Sequence, residues 1–220
     1  MRGMILAAGR GERMGSLTET VPKPLLRIRN RYLIEYSIDA LIKADIRDIV
    51  INVSYKKEAI QSALGDGARL GVRLHYSIEE ERLETGGGIF QALPLLGEEP
   101  FIVLSADVIS DYPLEKITRA PQGLAHLVLI SNPPFHPQGD FDLEGVRVVK
   151  SAVNPYTFSN ISVLHPALFK GCVPGYFRLS TLLHKAIAEQ QVTGEWFQGK
   201  WYNVGTEMQL TELNQDECLD

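Results

Sequence analysis

Short apolar runs alternate with amphipathic stretches through the first half of the chain. The apolar runs at residues 4–8, 48–53, 73–77 and 100–106 predict buried strands. Helices are predicted over residues 33–42, 58–64 and 89–96, where apolar side chains recur at helical spacing. Strands that alternate with helices form a mostly parallel sheet with helices on both faces. We therefore predict an α/β fold with a mostly parallel central sheet.

The pattern changes after residue 107. Strands are predicted over residues 125–131 and 158–164, and a hairpin that turns at Gly145 joins residues 140–144 to 146–150. A helix follows at residues 179–188, and short strands are predicted at 196–197 and 201–204. Thr206 is a residue type favoured at helix N-termini and predicts a closing helix. We expect strands of mixed direction in this half, facing the carboxyl ends of the parallel strands.

Composition and charge narrow the class of protein. A chain of 220 residues with 45% hydrophobic and 22% charged residues is typical of one soluble globular domain. No apolar run is long enough to span a bilayer, and the first one ends in a glycine loop, so we expect a cytoplasmic protein. The net charge of −5 argues against a nucleic-acid-binding groove. Cys172 and Cys218 do not have the spacing of a metal site or form a disulfide framework.

A glycine-containing loop follows the first predicted strand. Gly9 and Gly11 allow the backbone to approach a ligand closely, so that amide N–H groups can point at an anion. Cations are spaced along the same segment at Arg10, Arg13 and Lys23, and prolines stand on both sides of the lysine. We interpret the segment as a binding loop for an oligophosphate.

Two common phosphate-binding loops do not fit this segment. A P-loop requires Gly-Lys-Ser/Thr, whereas Gly11 is followed by Glu12 and Arg13. A dinucleotide-binding loop requires a third glycine where Met14 stands, and an acidic residue at the end of the second strand, which instead runs into Ser54. The loop is therefore of another type.

Polar residues lie where the predicted parallel strands end. Ligands of such sheets bind outside the carboxyl ends of the strands, which places the Gly9 loop, Asn52, the region of Glu79 and Asp107 on one rim. Asp107 could be a simple turn residue. Beside a phosphate loop it is better interpreted as a ligand of Mg²⁺, which prefers one or two carboxylates together with phosphate oxygens.

The glycine loop is part of a longer motif. Residues 6–18 read Leu-Ala-Ala-Gly-Arg-Gly-Glu-Arg-Met-Gly-Ser-Leu-Thr, and residues 22–25 read Pro-Lys-Pro-Leu. This resembles the opening signature of the sugar-phosphate nucleotidyltransferases. The resemblance continues through residues 83–89, 123–129, 139–141 and 158–169, and is strongest to bacterial enzymes that transfer a uridylyl group to N-acetylmuramate α-1-phosphate in peptidoglycan recycling.

The resemblance implies a single Rossmann-like, GT-A-like domain across residues 1–220. About residues 1–110 would bind the nucleotide and about 111–220 the sugar phosphate. UTP and a sugar 1-phosphate are the expected partners, Mg²⁺ the expected cofactor, and a monomer or weak homodimer the expected assembly. Arg13 and Lys23 would be the catalytic cations: Arg13 for the triphosphate and departing pyrophosphate, Lys23 for the α-phosphate.

The resemblance also implies sets of binding residues. The nucleotide set is Leu6, Ala7, Ala8, Gly9, Gly11, Arg13, Lys23, Asn52 and Gly86. The substrate set is Glu84, Thr85, Asp140 and Asn160, and the metal set is Asp107 and Asn203. The glycines at 86–88 are expected in a loop before the helix at 89–96, against base and sugar, with close packing as the alternative.

The chain departs from the family pattern at Asn203. The family carries Trp-x-Asp-x-Gly-Thr, whereas residues 201–206 read Trp-Tyr-Asn-Val-Gly-Thr. An amide oxygen can bind Mg²⁺ but supplies no charge, so we predict weakened metal binding. Ser16 replaces a usual proline and Ala106 a usual glycine. Two alternatives remain open: guanylyl transfer to mannose 1-phosphate, and a non-catalytic module that senses nucleotides or sugar phosphates.

Overall fold

The computed structural model describes residues 1–118 and 121–216, so Cys218 lies outside the described residues. The strands are β1 (Gly3–Leu6), β2 (Arg27–Ile28), β3 (Arg31–Tyr32), β4 (Asp48–Val53), β5 (Arg73–Ile78), β6 (Phe101–Ser105), β7 (Val108–Ser110), β8 (Ala125–Ser131), β9 (Asp142–Glu144), β10 (Arg147–Val149), β11 (Tyr156–Leu164), β12 (Val192–Trp196) and β13 (Trp201–Asn203). The helices are α1 (Leu17–Thr20), α2 (Leu33–Lys43), α3 (Lys57–Leu64), α4 (Glu84–Leu96), α5 (Leu179–Ala188) and α6 (Glu207–Gln215).

A nine-stranded sheet runs through the molecule in the order β5-β4-β1-β6-β11-β8-β12-β10-β9. The first four strands are parallel, and β1 lies between β4 and β6. Beyond β6 the directions are mixed, since β11 is antiparallel to both β6 and β8 while β12 is parallel to β8. The predicted α/β class and the change to mixed direction are confirmed.

Both faces of the sheet are covered by helices. On one face α2 and α3 pack through residues such as Ile38 and Ile60, which are completely buried. On the other face α4 and α5 pack through Ile89 and Leu183. A third apolar cluster joins Met14 of the glycine-loop segment to α6 at the end of the chain. No described helix is both long enough and apolar enough to cross a bilayer.

The largest difference from the predicted elements is at α4. This helix begins at Glu84, so the glycines at 86–88 lie inside it. The expectation that they form a loop before the helix is wrong. The cause is close packing: a Cβ at position 87 would lie 2.2 Å from the carbonyl oxygen of Gly175, and one at position 86 would lie 2.6 Å from the Phe177 ring. Residues 175–177 occupy the space that side chains at positions 86 and 87 would need.

Strand pairing in the second half was only partly predicted. The hairpin of β9 and β10 is confirmed, and Thr206 accepts a hydrogen bond from the Gln209 N–H at 3.3 Å, as expected of an N-cap. β12 begins at Val192, four residues before the predicted strand, because it inserts between β8 and β10. β7 was not predicted. It pairs with β13 outside the main sheet.

Candidate active site

A cavity of about 840 Å³ opens at the carboxyl ends of the parallel strands. Its lining comes from the loop after β1, the 23–24 turn, the ends of β4, β5 and β6, the start of α4, and single residues of the mixed half. The predicted residues that line it are Leu6, Ala7, Ala8, Gly9, Gly11, Arg13, Lys23, Asn52, Glu84, Thr85, Asp107 and Asn160. Three predicted residues, Gly86, Asp140 and Asn203, are not in this lining.

The glycine loop makes a tight turn at Gly11. Gly11 has a φ of +70°, and a Cβ there would lie 3.0 Å from the side chains of Lys23 and Thr18. The Met14 N–H donates to the Gly11 carbonyl at 2.8 Å, and the Met14 side chain is buried beneath the loop. A Cβ on Gly9 would meet no atom within 4 Å. The loop is thus closed against Lys23 at Gly11 and open at Gly9.

Lys23 and Asp107 form an ion pair in the cavity. Pro22 and Pro24 hold Lys23 at the start of a 3-10 turn, and its side chain is 11% exposed. The Nζ contacts Oδ2 of Asp107, while the Ser105 hydroxyl donates to Oδ1 at 2.6 Å. An anion that enters the cavity therefore meets a lysine whose charge is already oriented by a carboxylate.

Arg13 and Asn203 converge at Gly205. A Cβ on Gly205 would lie 3.5 Å from the Asn203 Oδ1 and 3.6 Å from the Arg13 Cζ. Pairing of β13 with β7 brings Asn203 beside Asp107, whose carbonyl accepts the Val204 N–H at 2.9 Å. Within the described residues Arg13 is exposed and forms no salt bridge with a carboxylate. Both groups therefore lie near Gly205, which lines the cavity together with Arg13, whereas Asn203 lies behind the lining.

The oxygen atoms near Asp107 are of the kind that Mg²⁺ binds. One carboxylate and one amide oxygen would leave further positions to phosphate oxygens and water, which is typical of magnesium sites. No group of three or more His, Cys, Asp or Glu side chains arranged for a metal occurs among the described residues. The residues fit a magnesium ion shared with a phosphorylated ligand better than one held by protein alone.

Asn52 connects the glycine loop to the carboxylate of Glu79. The sequence pattern places the region of Glu79 on the rim of the sheet but gives this residue no role. Its Oδ1 accepts the Ala7 N–H at 2.9 Å, and its Nδ2 donates to Oε1 of Glu79 at 2.6 Å. The Leu83 N–H approaches Oε2 of Glu79 at 3.4 Å. Burial raises the pKa of Glu79, and these hydrogen bonds act in the opposite direction. Its position directly after a predicted strand is the signal that also singled out Asp107.

The cavity has two ends of opposite charge. Arg10, Arg13 and Lys23 lie on the loop side, and Arg10 lies 5.9 Å from the centre of the Tyr55 ring, a cation–π contact. The β5–α4 side carries four acidic lining residues, Glu79, Glu80, Glu81 and Glu84, against one cation, Arg82, which pairs with Glu84 at 2.7 Å. Because phosphate groups favour the cationic end, a nucleotide would direct its phosphates toward the loop.

Two lining residues have left-handed backbone conformations. Glu84, at the start of α4, has a φ of 59°, and Asn160 has a φ of 62°. Asn160 lies in a bulge of β11 between Phe158 and Ile161, next to Ser159, whose hydroxyl donates to the Val128 carbonyl at 2.6 Å. Such conformations cost energy and cluster at functional sites. Here they direct two polar residues into the cavity.

Asp140 and Gly86 have other surroundings. Oδ2 of Asp140 accepts the Phe158 N–H at 2.9 Å, and Oδ1 lies 3.1 Å from the His136 ring nitrogen. Asp140 thus anchors the strand that carries Asn160. Gly86 is buried in α4 against Phe177. Asn160 reached the cavity as expected, whereas Asp140 supports it from outside.

An α/β sheet with a glycine loop, a lysine and a carboxylate at its parallel carboxyl ends is the arrangement of a nucleotide-binding protein. A family model described as nucleotidyl transferase matches residues 2–141, and the chain belongs to this family. It is therefore a nucleotidyltransferase, as the sequence motifs indicated.

Curated relatives agree with this membership. The chain is 41% identical over 222 residues to N-acetylmuramate alpha-1-phosphate uridylyltransferase of Neisseria meningitidis serogroup B, covering 96% of each chain. It is 28% identical to the catalytic subunit beta of mannose-1-phosphate guanylyltransferase of Xenopus tropicalis, over 93% of this chain but only 61% of that protein.

Two solved structures have the same fold. A Bacillus anthracis protein described as a glucose-1-phosphate thymidylyltransferase superposes with a TM-score of 0.86 at 21% identity, over 98% of this chain and 94% of its own. The inositol-1-phosphate CTP transferase of T. maritima gives 0.82 at 20% identity, over 97% and 94%. The expected Rossmann-like architecture is confirmed.

Proposed function

We propose that the protein transfers the uridylyl group of UTP to N-acetylmuramate α-1-phosphate, releases pyrophosphate, and acts in peptidoglycan recycling. The observation that carries the proposal is the 41% identity over 96% of both chains to a uridylyltransferase of that substrate. The cavity is consistent with it, because cations cluster on the loop side and Asn160 of the mixed half contributes a polar side chain to the lining.

The reaction needs little from a protein base. A phosphate monoester has a second pKa of about 6, so a sugar 1-phosphate is mostly a dianion at neutral pH. One of its oxygens forms a bond to the α-phosphorus of UTP while the bond from that phosphorus to the β-bridging oxygen breaks. Pyrophosphate leaves with the bonding electrons. The protein must align these groups and balance their charge.

Lys23 is proposed to bind the α-phosphate. Its Nζ is held by Asp107 in the cavity, so it needs only a small movement to donate to a phosphoryl oxygen. Arg13, which is exposed and forms no salt bridge within the described residues, is proposed to bind the β- and γ-phosphates and then pyrophosphate. Open backbone around Gly9 lets the triphosphate approach the loop.

Asp107 and Asn203 would hold Mg²⁺, which supplies charge neutralisation for the phosphate groups when bound. The amide at 203 keeps Arg13 without a neighbouring carboxylate at that point. We propose that this preserves the charge of Arg13 for the triphosphate, at the expense of metal affinity. Asn160, Glu84 and Thr85 are proposed to bind the sugar phosphate.

Guanylyl transfer to mannose 1-phosphate is the second candidate function. It is favoured by the guanylyltransferase relatives, which match 93% of this chain at 28% identity. A module that senses nucleotides without catalysis is a third candidate, and Asn203 in place of the family's aspartate is the observation that favours it.

A pyrophosphate-release screen separates these candidates. It crosses the four common nucleoside triphosphates with N-acetylmuramate, mannose, glucose and N-acetylglucosamine 1-phosphates at several Mg²⁺ concentrations. The proposal expects release with UTP and N-acetylmuramate 1-phosphate above all other pairs. Release with GTP and mannose 1-phosphate would replace it by the second candidate. Tight UTP binding without release from any pair would support the sensing module.

A further inference from the structure

We infer that Asn52 and Glu79 form a positioning link that sets the glycine loop and the start of α4 in one geometry, so that both walls of the cavity are placed together. The inference rests on the proposed function only for its nucleotide assays. The link itself consists of contacts between three segments: the loop after β1, the end of β4, and the short connection from the end of β5 to Leu83, the residue before α4.

Asn52 uses both ends of its amide. Oδ1 accepts the N–H of Ala7 at 2.9 Å and Nδ2 donates to Glu79 at 2.6 Å, in a residue that is only 3% exposed. A side chain at this position must accept a hydrogen bond at one terminal atom and donate one from a second terminal atom. An ionised aspartate can only accept, a leucine can do neither, and a threonine has a single hydroxyl. The N–H of Ala7 is thereby committed to protein and directed away from the ligand.

Glu79 likewise uses each carboxylate oxygen for a different segment. Oε1 accepts from Asn52 and Oε2 faces the Leu83 N–H at 3.4 Å, one residue before α4. Glu79 is 3% exposed and forms no ion pair with a described cation. A buried carboxylate without a cation is costly, and a neutral isostere could pack as well. We explain the buried carboxylate of Glu79 by its two hydrogen bonds, which join Asn52 to the residue before α4.

Helix α4 is pressed against the pair. A Cβ on Gly88 would lie 2.4 Å from Oε1 of Glu79 and 2.9 Å from Nδ2 of Asn52. The helix backbone therefore leaves the pair no room to shift sideways. Since Glu84 and Thr85 of the same helix line the cavity opposite the loop, a displacement of Ala7 is transmitted through the pair to those residues.

A reciprocal exchange tests the link. Asn52→Asp alone places a second carboxylate against Glu79 and removes the NH₂ group that donates to it. Glu79→Gln alone puts an amide NH₂ where residue 79 has to accept a hydrogen bond, either from Asn52 or from the Leu83 N–H. The double variant Asn52→Asp/Glu79→Gln can form all three hydrogen bonds again at unchanged net charge. Donor and acceptor are exchanged only in the bond between the two side chains, while the N–H groups of Ala7 and Leu83 remain donors. Asp48→Asn is the matched control, because it breaks the exposed pair with Arg73 at the opposite ends of β4 and β5.

Two readouts are taken for each variant: KM for UTP, and amide hydrogen exchange of peptides that contain residues 7 and 83. We expect Asn52→Asp to raise the KM for UTP about ten- to hundredfold, in line with an unsatisfied buried group, and to speed exchange at both peptides. The double variant should return both readouts to within about threefold of the original protein. Asp48→Asn should leave both unchanged.

Three outcomes overturn the link. Unchanged exchange at both peptides in Asn52→Asp would show that the pair does not couple the segments. Exchange restored in the double variant without recovery of the KM would show that one of the two side chains touches the nucleotide directly. Exchange altered at only one of the two peptides would reduce the pair to a local packing contact. If the original protein does not turn over UTP at all, the proposed function fails, while the exchange readout still decides the link.

Discussion

The parallel and the mixed halves of the sheet contribute to the cavity in different ways. In the parallel half, cavity-lining residues stand at the end of a strand or in the segment that follows it, as do Gly9, Lys23, Asn52 and Asp107. In the mixed half, Asn160 reaches the cavity through a bulge and Gly205 through a loop held by α6. Parallel strands bring all their carboxyl ends to one edge. Mixed strands need an irregularity at each residue that is to face that edge.

The largest expected effect breaks the parallel half. Lys23→Ala removes the cation proposed for the α-phosphate and should lower kcat at least about 100-fold, as for other groups that stabilise transition-state charge. Steady-state pyrophosphate release measures it, and circular dichroism confirms folding. Lys57→Ala, which breaks the 2.8 Å pair with Glu80 at the rim, is the matched lysine control and should stay within about threefold. Near-normal kcat for Lys23→Ala would remove its proposed role.

The glycines of α4 give the next largest effect. Gly87→Ala would place a Cβ 2.2 Å from the carbonyl oxygen of Gly175, and we expect about 2 kcal/mol lower free energy of unfolding because backbone must move. Urea denaturation measures it. Gly9→Ala, whose Cβ would meet nothing within 4 Å, should leave stability unchanged and affect only UTP binding. Equal stability losses for both glycines would contradict the packing explanation.

Asn160 tests whether the bulge of the mixed half serves the acceptor. Both Asn160→Ala and Asn160→Gly should raise the KM for the sugar 1-phosphate about tenfold, with little change for UTP. Because φ is 62° at this residue, the glycine variant should be more stable than the alanine variant by about 1 kcal/mol. A change in the KM for UTP but not for the sugar phosphate would place Asn160 on the nucleotide side.

A substitution at Asn203 separates the two roles proposed for this residue: binding Mg²⁺, and leaving the charge of Arg13 unpaired for the triphosphate. Asn203→Asp should lower the Mg²⁺ concentration for half-maximal binding of a fluorescent UTP analogue several-fold, and should raise the KM for UTP modestly since an aspartate can pair with Arg13. Titration of Mg²⁺ and UTP measures the two effects separately. An unchanged Mg²⁺ titration would exclude residue 203 from the metal site.

The smallest expected effect is the pH dependence of stability at Glu79. Burial raises its pKa in the folded protein above the ordinary value of 4.5. The folded state therefore binds the proton more tightly than the unfolded state, so this contribution is full below the ordinary pKa and is lost as pH rises through the folded pKa. Relative to Glu79→Gln, the original protein should lose stability across that window. Urea denaturation from pH 4 to 8 measures the difference, and parallel curves would contradict the raised pKa.

Much of the parallel half could be predicted because its signals are local. Each signal can be identified from a few neighbouring residues: two glycines follow the first apolar run, prolines flank Lys23, and Asp107 directly follows another apolar run. The rule for parallel sheets then brings them to one edge without knowledge of any long-range contact. The start of α4 could not be predicted, because glycine is a poor helix former and only the packing of residues 175–177 against it makes the helix possible.

By itself, therefore, the sequence determined the family, the α/β class, the glycine loop after the first strand and the departure from the family pattern at Asn203. Tertiary structure decided that Asp140 supports the bulge from outside, that Asn203 and Arg13 both lie near Gly205, and that Asn52 and Glu79 are hydrogen-bonded to each other, to Ala7 and to Leu83. The physical reason is range. Local patterns determine which residues follow a strand, whereas hydrogen bonds and steric limits between distant segments determine which atoms those residues meet.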